Sequence, residues 1–229
     1  MAEIIGTPAN DELLGDVGPD TLFGLEGDDA IFGFADNDFL FGNQGSDLLD
    51  GDEGDDTIFG GQGDDQIVDI GGGNDQIFGN LGNDLINGTE GNDQVFGGQG
   101  DDLITGGAGN DLVSGDKGND ILFGIDNSNT SNPGLGEIDT LTGGEGFDFF
   151  YLGSELSLYY VGLGSEDFAL ITDFNPAEDI LFVGGTDRVT LSDLNLGQAG
   201  TGAGIFTLNN DVIAFIPGTN SSELNFSLL

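Results

Sequence analysis

The chain has 229 residues and a net charge of −41, with 43 acidic residues set against Lys117 and Arg188 alone; a surface of that sign repels nucleic acid and anionic membranes. It has no Cys and no His, which excludes disulfides, thiolate metal sites and the commonest general base. The metal ligands that remain are carboxylate and carbonyl oxygens, the hard donors that suit Ca²⁺, and no apolar run of about 20 residues is present to insert directly into a membrane.

The N-terminal Met1–Ile5 carries neither the basic nor the apolar stretch of a cleaved signal peptide. From Gly6 to Phe123 a nine-residue period governs the sequence, and Ile4 already stands in its phase. Position 6 of the unit is Asp11, Asp20, Asp29, Asp38, Asp47, Asp56, Asp65, Asp75, Asp84, Asp93, Asp102, Asp111 and Asp120. Position 8, two residues on, is aliphatic throughout, from Leu13 and Leu22 to Val113 and Leu122. Position 4 is Gly18, Gly27, Gly45, Gly54, Gly63, Gly73, Gly82, Gly91, Gly100, Gly109 and Gly118. Ala9 and Asp36 replace that glycine in the first and fourth units, which are therefore expected to be the poorest sites. The unit Asp69–Phe78 carries one extra residue within Ile70-Gly71-Gly72-Gly73, which predicts a small bulge.

After Phe123 the turn-rich residues 124–137 interrupt the period. The phase returns with Asp139 and Leu141 and again with Asp148 and Phe150, so the periodic domain spans residues 1–151. Beyond Leu152 alternating apolar runs take over: Phe168–Ile171, Ile180–Val183, Gly204–Leu208 and Val212–Ile216, the last two joined by a turn at Asn209-Asn210-Asp211. Residues 152–229 are expected to form an antiparallel β cap over the last turn.

The period resembles the nonapeptide G-G-x-G-x-D-x-U-x of the repeats-in-toxin (RTX, haemolysin-type) calcium-binding proteins. Thirteen copies in one phase make the match specific. The resemblance implies an all-β, right-handed parallel β-roll, a β-solenoid. In it the first six residues of a unit form a calcium-binding loop, the last three form a short strand, and two units make one turn. It also implies export through a type I channel with an uncleaved C-terminal signal, which the tail Glu223–Leu229 resembles. Asp173–Asp179 resembles a segment common after such arrays and carries no chemistry on this reading.

In such a coil, strand alternation turns position 8 inward and positions 7 and 9 outward. Turns stack at about 4.8 Å, which aligns alternate aspartates into two rows. One is Asp11, Asp29, Asp47, Asp65, Asp84, Asp102, Asp120 and Asp148; the other is Asp20, Asp38, Asp56, Asp75, Asp93, Asp111 and Asp139. Like charges so spaced repel. A divalent cation between neighbours reverses the sign, and the glycines let loop carbonyls complete its oxygen shell. The rows leave at most thirteen gaps for Ca²⁺. A core of one aliphatic residue per unit cannot carry that repulsion, so the coil is expected to be disordered without Ca²⁺ and to fold on binding it.

At position 9 of alternate units stand Phe23, Phe41, Phe59, Phe78 and Phe96, which should stack as an outward ladder. That ladder either braces its own sheet or offers an apolar patch for a homo-oligomer or filament. An ice-binding face would need a Thr row at position 3, where Pro8, Val17, Glu26, Ala35 and Gln44 stand instead. Arg188 is the only base after the coil, so no nucleophile–base pair can be assembled there, and the chain is read as no enzyme. The expected function is a secreted calcium-binding structural protein of the cell surface or extracellular matrix. The alternative is a monomeric extracellular Ca²⁺ buffer or a secretion and folding module.

Overall fold

The computed structural model describes residues 1–125, 136–153, 168–183, 189–195, 201–207 and 212–224. The expected turn at Asn209-Asn210-Asp211 and most of the insertion and of the tail lie outside them. The described residues form twenty-one strands in two sheets. Alternate units feed alternate sheets. One runs from Glu3–Ile5 through Thr21–Glu26, Phe39–Gln44 and Thr57–Gln62 to Ile138–Glu145; the other runs from Glu12–Leu14 through Ala30–Ala35 to Phe149–Tyr151. All these neighbours pair in parallel, in registers such as Leu22↔Leu40 and Ile31↔Leu49, eighteen residues apart in sequence. Two units therefore make one turn of a β-solenoid, with the core between the sheets. Position 8 fills it: Leu22, Ile31, Leu40 and their successors to Phe150 are 0 % exposed. Each contributes about 2 kcal/mol by leaving water.

Most of the coil's strands are longer than the three residues implied by the resemblance, though Glu3–Ile5, Glu12–Leu14, Gln66–Val68, Leu85–Asn87 and Phe149–Tyr151 are not. Thr21–Glu26 and its equivalents hold six residues and continue pairing through positions 2 and 3 of the next unit. The bend comes at position 2, where the non-glycine residues Leu25, Phe34, Asn43, Asp52, Asn80, Thr89 and Asp116 take φ between 66° and 84°. Stacking of identical backbones, not side-chain propensity, holds these residues in the left-handed region.

The extra residue of Asp69–Phe78 is absorbed in the loop as expected. The strand before it, Gln66–Val68, stops at three residues, Gly72 takes φ 81°, and pairing resumes at Gln76 in a register of nineteen.

The antiparallel cap begins later than the sequence suggests. Phe168–Ile171 pairs in parallel with Ile138–Glu145, and Ile180–Phe182 pairs in parallel with Phe149–Tyr151. Ile171 and Leu181 stand level with Leu141 and Phe150, so the coil gains a further turn past Tyr151. Antiparallel pairing is confined to Val189–Asn195, Thr201–Thr207 and Val212–Pro217, the last of which also joins Phe168–Ile171 in parallel.

Candidate metal centre

Each position-6 aspartate sits where a loop enters a strand, and its carboxylate is drawn into the coil by the turn stacked on it. The N–H of Asp29 donates to Asp47 Oδ1 at 2.7 Å, that of Asp47 to Asp65 Oδ1 at 2.8 Å, and that of Asp65 to Asp84 Oδ1 at 2.8 Å. On the other edge Asp38 donates to Asp56 Oδ1 and Asp56 to Asp75 Oδ1, both at 2.7 Å. The chain of bonds reaches Asp139 from Asp111 and Asp148 from Asp120. Both rows expected from the spacing are thus continuous ladders, and every member from Asp20 on is at most 3 % exposed.

One carboxylate oxygen is used in that ladder; the other is not. Among the described residues, Oδ2 of Asp29, Asp38, Asp47, Asp56, Asp65, Asp75, Asp84, Asp93, Asp102, Asp111, Asp120 and Asp148 is buried without a hydrogen-bond partner. Such an oxygen carries a desolvation cost of about 1–3 kcal/mol or more, since the group is charged. All but Asp75, whose unit begins with Asp69, lie against a position-1 glycine that leaves no room for a side chain. A methyl on Gly24 would strike Asp29 Oδ2 and the Gly42 carbonyl; on Gly42 it would strike Asp47 Oδ2 and the Gly60 carbonyl. The position-4 glycines close the loop from the other side. A methyl on Gly45 would meet the Gly27 carbonyl, and one on Gly63 the Gly45 carbonyl. Most of these, including Gly27, Gly45, Gly54, Gly82 and Gly100, take φ between 116° and 154°. Gly18 and Gly73 do not, the latter because Gly72 takes that role. Orphaned anionic oxygens beside converging carbonyls fit a hard divalent cation with an all-oxygen shell.

Electrostatics point the same way. Burial pushes Asp38, Asp47 and Asp84 up to about 6, and Asp56, Asp65, Asp93, Asp102 and Asp120 up to about 7, against the pull of the ladder hydrogen bonds. Asp111 is pushed up to about 8 by burial and then by Asp139. A bound cation offsets the same penalty that raises these groups.

The ends of the array differ. Asp11 Oδ2 accepts the Thr7 N–H at 2.5 Å and the Thr7 hydroxyl at 2.9 Å, and Asp20 Oδ2 accepts the Asp16 N–H at 2.8 Å. The first two loops close on their own aspartates, unlike those of Asp29 to Asp120. Asp36, in place of a position-4 glycine, takes φ 68°, short of the 116–154° of those glycines, and the Asp38 ladder bond is present.

Three features are not anticipated by the sequence. First, position 5 forms a second, exposed ladder: Asp28 Oδ1 accepts from Ser46 N–H, Asn74 Oδ1 from Asn92, Asn92 Oδ1 from Asn110 and Asp101 Oδ1 from Asn119. Its signal was a residue class, Asn, Asp or Ser, and not one residue. Second, the segment Asp173–Asp179 joins the aspartate ladder. Asp179 Oδ1 accepts the Asp148 N–H at 3.2 Å, extending the row by one, and Oδ2 accepts the Asn175 N–H at 2.7 Å. The signal was Leu181, two residues after Asp179. Third, Asp69 joins Asp56 and Asp75 in a buried group.

The model of the RTX calcium-binding nonapeptide repeat matches residues 5–40, 32–67, 69–104, 96–124 and 133–154. The chain belongs to that family. Its RTX repeats are calcium-binding repeats, and the family is structural and not catalytic. None of the curated proteins compared with the chain matches it. The RTX matches skip residue 68 and resume at Asp69, the start of the ten-residue unit, and they break again at the insertion.

Proposed function

We propose that the chain is a secreted calcium-binding structural protein of the cell surface or extracellular matrix, without enzymatic activity, whose coil forms on Ca²⁺ and then self-associates. The observation that carries the calcium step is the pair of rows of buried, unpartnered Asp Oδ2 atoms, all but that of Asp75 against a position-1 glycine. The proposed ligands are the position-6 aspartates with carbonyls of the loop glycines. The secreted location is supported by the family, whose members are typically exported, and by the chemistry. A fold that needs many cations stays open where Ca²⁺ is scarce and closes outside, where binding modules work at about 10⁻⁴–10⁻³ M. Among the described residues no helix is long and apolar enough to cross a membrane.

Self-association is supported by the phenylalanine ladder. Phe23, Phe41, Phe59, Phe78 and Phe96 stack with ring centroids 4.8–5.2 Å apart and planes within 10°. The rings cover one another's faces, so each is half-buried and not fully exposed. That favours the second reading, a monomeric calcium buffer or folding module whose ladder braces its own sheet. Sedimentation velocity with and without Ca²⁺ decides between them. Calcium-dependent assembly at high protein concentration is the expected result; a persistent calcium-loaded monomer refutes assembly and leaves the buffer.

A further inference from the structure

In the array the first position of a unit is glycine, because its Cα lies against the Oδ2 of the unit's own aspartate and leaves no room for a side chain. The unit Asp69–Phe78 breaks this rule. Its first residue is Asp69, and it is one residue longer. The added residue, with Gly72 at φ 81°, displaces the loop and opens the space that a Cβ at position 1 requires. Asp69 uses it to bring a carboxylate into the coil. One carboxylate oxygen from each of Asp56, Asp69 and Asp75 lies within 4.8 Å of the others, and all three residues are buried. Asp69 is 0 % exposed, and neither of its oxygens has a hydrogen-bond partner among the described residues; Oδ2 of Asp56 and of Asp75 is also unpartnered.

The backbone holds this carboxylate in place. The Asp69 N–H donates to the Asn87 carbonyl at 3.1 Å, and its own carbonyl accepts the Thr89 hydroxyl. The neighbouring Asp50 is occupied elsewhere, accepting the Ile70 and Asp52 N–H groups. A second ten-residue unit, Asp173–Phe182, also begins with aspartate. There the two oxygens accept the Gly143 N–H at 2.9 Å and the Gly144 N–H at 2.8 Å. An aspartate at this position can therefore be satisfied by backbone donors. At Asp69 no such donors face it, and what faces it is two more carboxylates.

We propose that Asp56, Asp69 and Asp75 form a divalent-cation site of a second kind, with a third carboxylate where an ordinary unit offers only glycine backbone, and that this site loads before the others. The proposal rests on the calcium reading of the repeats. Affinity of oxygen sites for Ca²⁺ rises with the number of charged ligands, and that number is greater here. The site lies near the middle of the array, so its loading orders units on both sides and gives the coil a nucleus.

The test is calcium titration of the full chain by calorimetry, with far-ultraviolet circular dichroism followed in parallel. The wild type is expected to show one site at least about tenfold tighter than the rest. Asp69→Asn should lose that site while the remaining sites still bind, and the calcium midpoint of folding should rise. A variant with wild-type affinity and stoichiometry overturns the proposal and makes Asp69 a carboxylic acid sharing a proton with its neighbours. If Asp69→Asn does not fold at any calcium concentration, Asp69→Gly with Gly72 deleted restores an ordinary nine-residue unit. Loss of the tight site in that variant supports the proposal, and its retention overturns it. If the wild type binds no calcium at all, the repeat reading itself fails, which is a different result from a wild type that binds with uniform affinity and overturns the proposal alone.

Discussion

At the scale of single residues, an RTX aspartate has two jobs split between its two oxygens. Oδ1 ties one turn to the next through a backbone N–H, and Oδ2, buried without a partner, is the oxygen we propose as the cation ligand. Substituting an interior aspartate removes both. Asp65→Ala leaves the Asp47 N–H without its acceptor, at about 1–3 kcal/mol, and takes a ligand from the middle of a row. Asp11 differs, since its Oδ2 already accepts from Thr7 within its own loop. Calorimetric calcium titration should show Asp65→Ala losing stoichiometry and cooperativity while Asp11→Ala changes little; equal losses would count against the stacked rows.

Interior aspartates set the response to pH. Burial raises the folded-state values of Asp38, Asp47, Asp56, Asp65, Asp84, Asp93, Asp102, Asp111 and Asp120 to between about 6 and about 8, above the ordinary value of about 3.9 for an unfolded chain. A folded group that holds its proton more tightly favours the fold at low pH, so its contribution is complete below about 4 and is lost as pH rises through about 6–8. In EGTA, acidification from pH 8 to pH 4 should therefore restore β-structure. With calcium present, acidification through the same window should weaken binding, because the ligands must be deprotonated. Circular dichroism and calorimetry at several pH values check both signs; an apo spectrum that loses β-structure on acidification would contradict the assignment.

At the scale of elements, the strands are built by repetition more than by propensity. The aliphatic position 8 and the aspartate at position 6 are legible in the sequence, because one residue type in one phase has one structural meaning. The continuation of each strand through positions 2 and 3 is not. Leu25, Asn43 and Gly61 share a left-handed bend imposed by the stacked backbone, and no side-chain pattern spells it. The position-5 ladder is hidden for a related reason: Asp28, Asn74 and Ser46 vary in identity while standing at the same step. The extra turn past Tyr151 is masked because Asp179 follows Asp148 at thirty-one residues, far outside the nine-residue period. Asp69 is legible only as a length anomaly, since its consequence is a displaced Cβ.

The phenylalanine ladder is an element in its own right. Phe41 and Phe59 sit at its centre, so changing both to Ser breaks three stacks. At about 0.5–1.5 kcal/mol per aromatic pair, the calcium-loaded coil should lose roughly 1.5–4.5 kcal/mol in denaturant titration. A double variant of unchanged stability would mean the rings brace nothing in the monomer and would shift weight to an intermolecular role.

At the scale of the whole molecule, the charge of −41 and a one-residue-wide aliphatic core oppose each other along the full length of the coil. The buried aspartate rows place much of that charge in the interior, where it is most costly without a counter-ion. On the proposed ligation, a cation would turn the same rows from a liability into the cross-link between turns and couple each turn to its neighbours, so folding should be cooperative in calcium. The most direct test is far-ultraviolet circular dichroism of the full chain at neutral pH, calcium-loaded and then titrated with EGTA. The account predicts a β spectrum that collapses to that of a disordered chain over residues 1–151 as calcium is withdrawn, and that returns when calcium is restored. A β spectrum unchanged by complete chelation would contradict it.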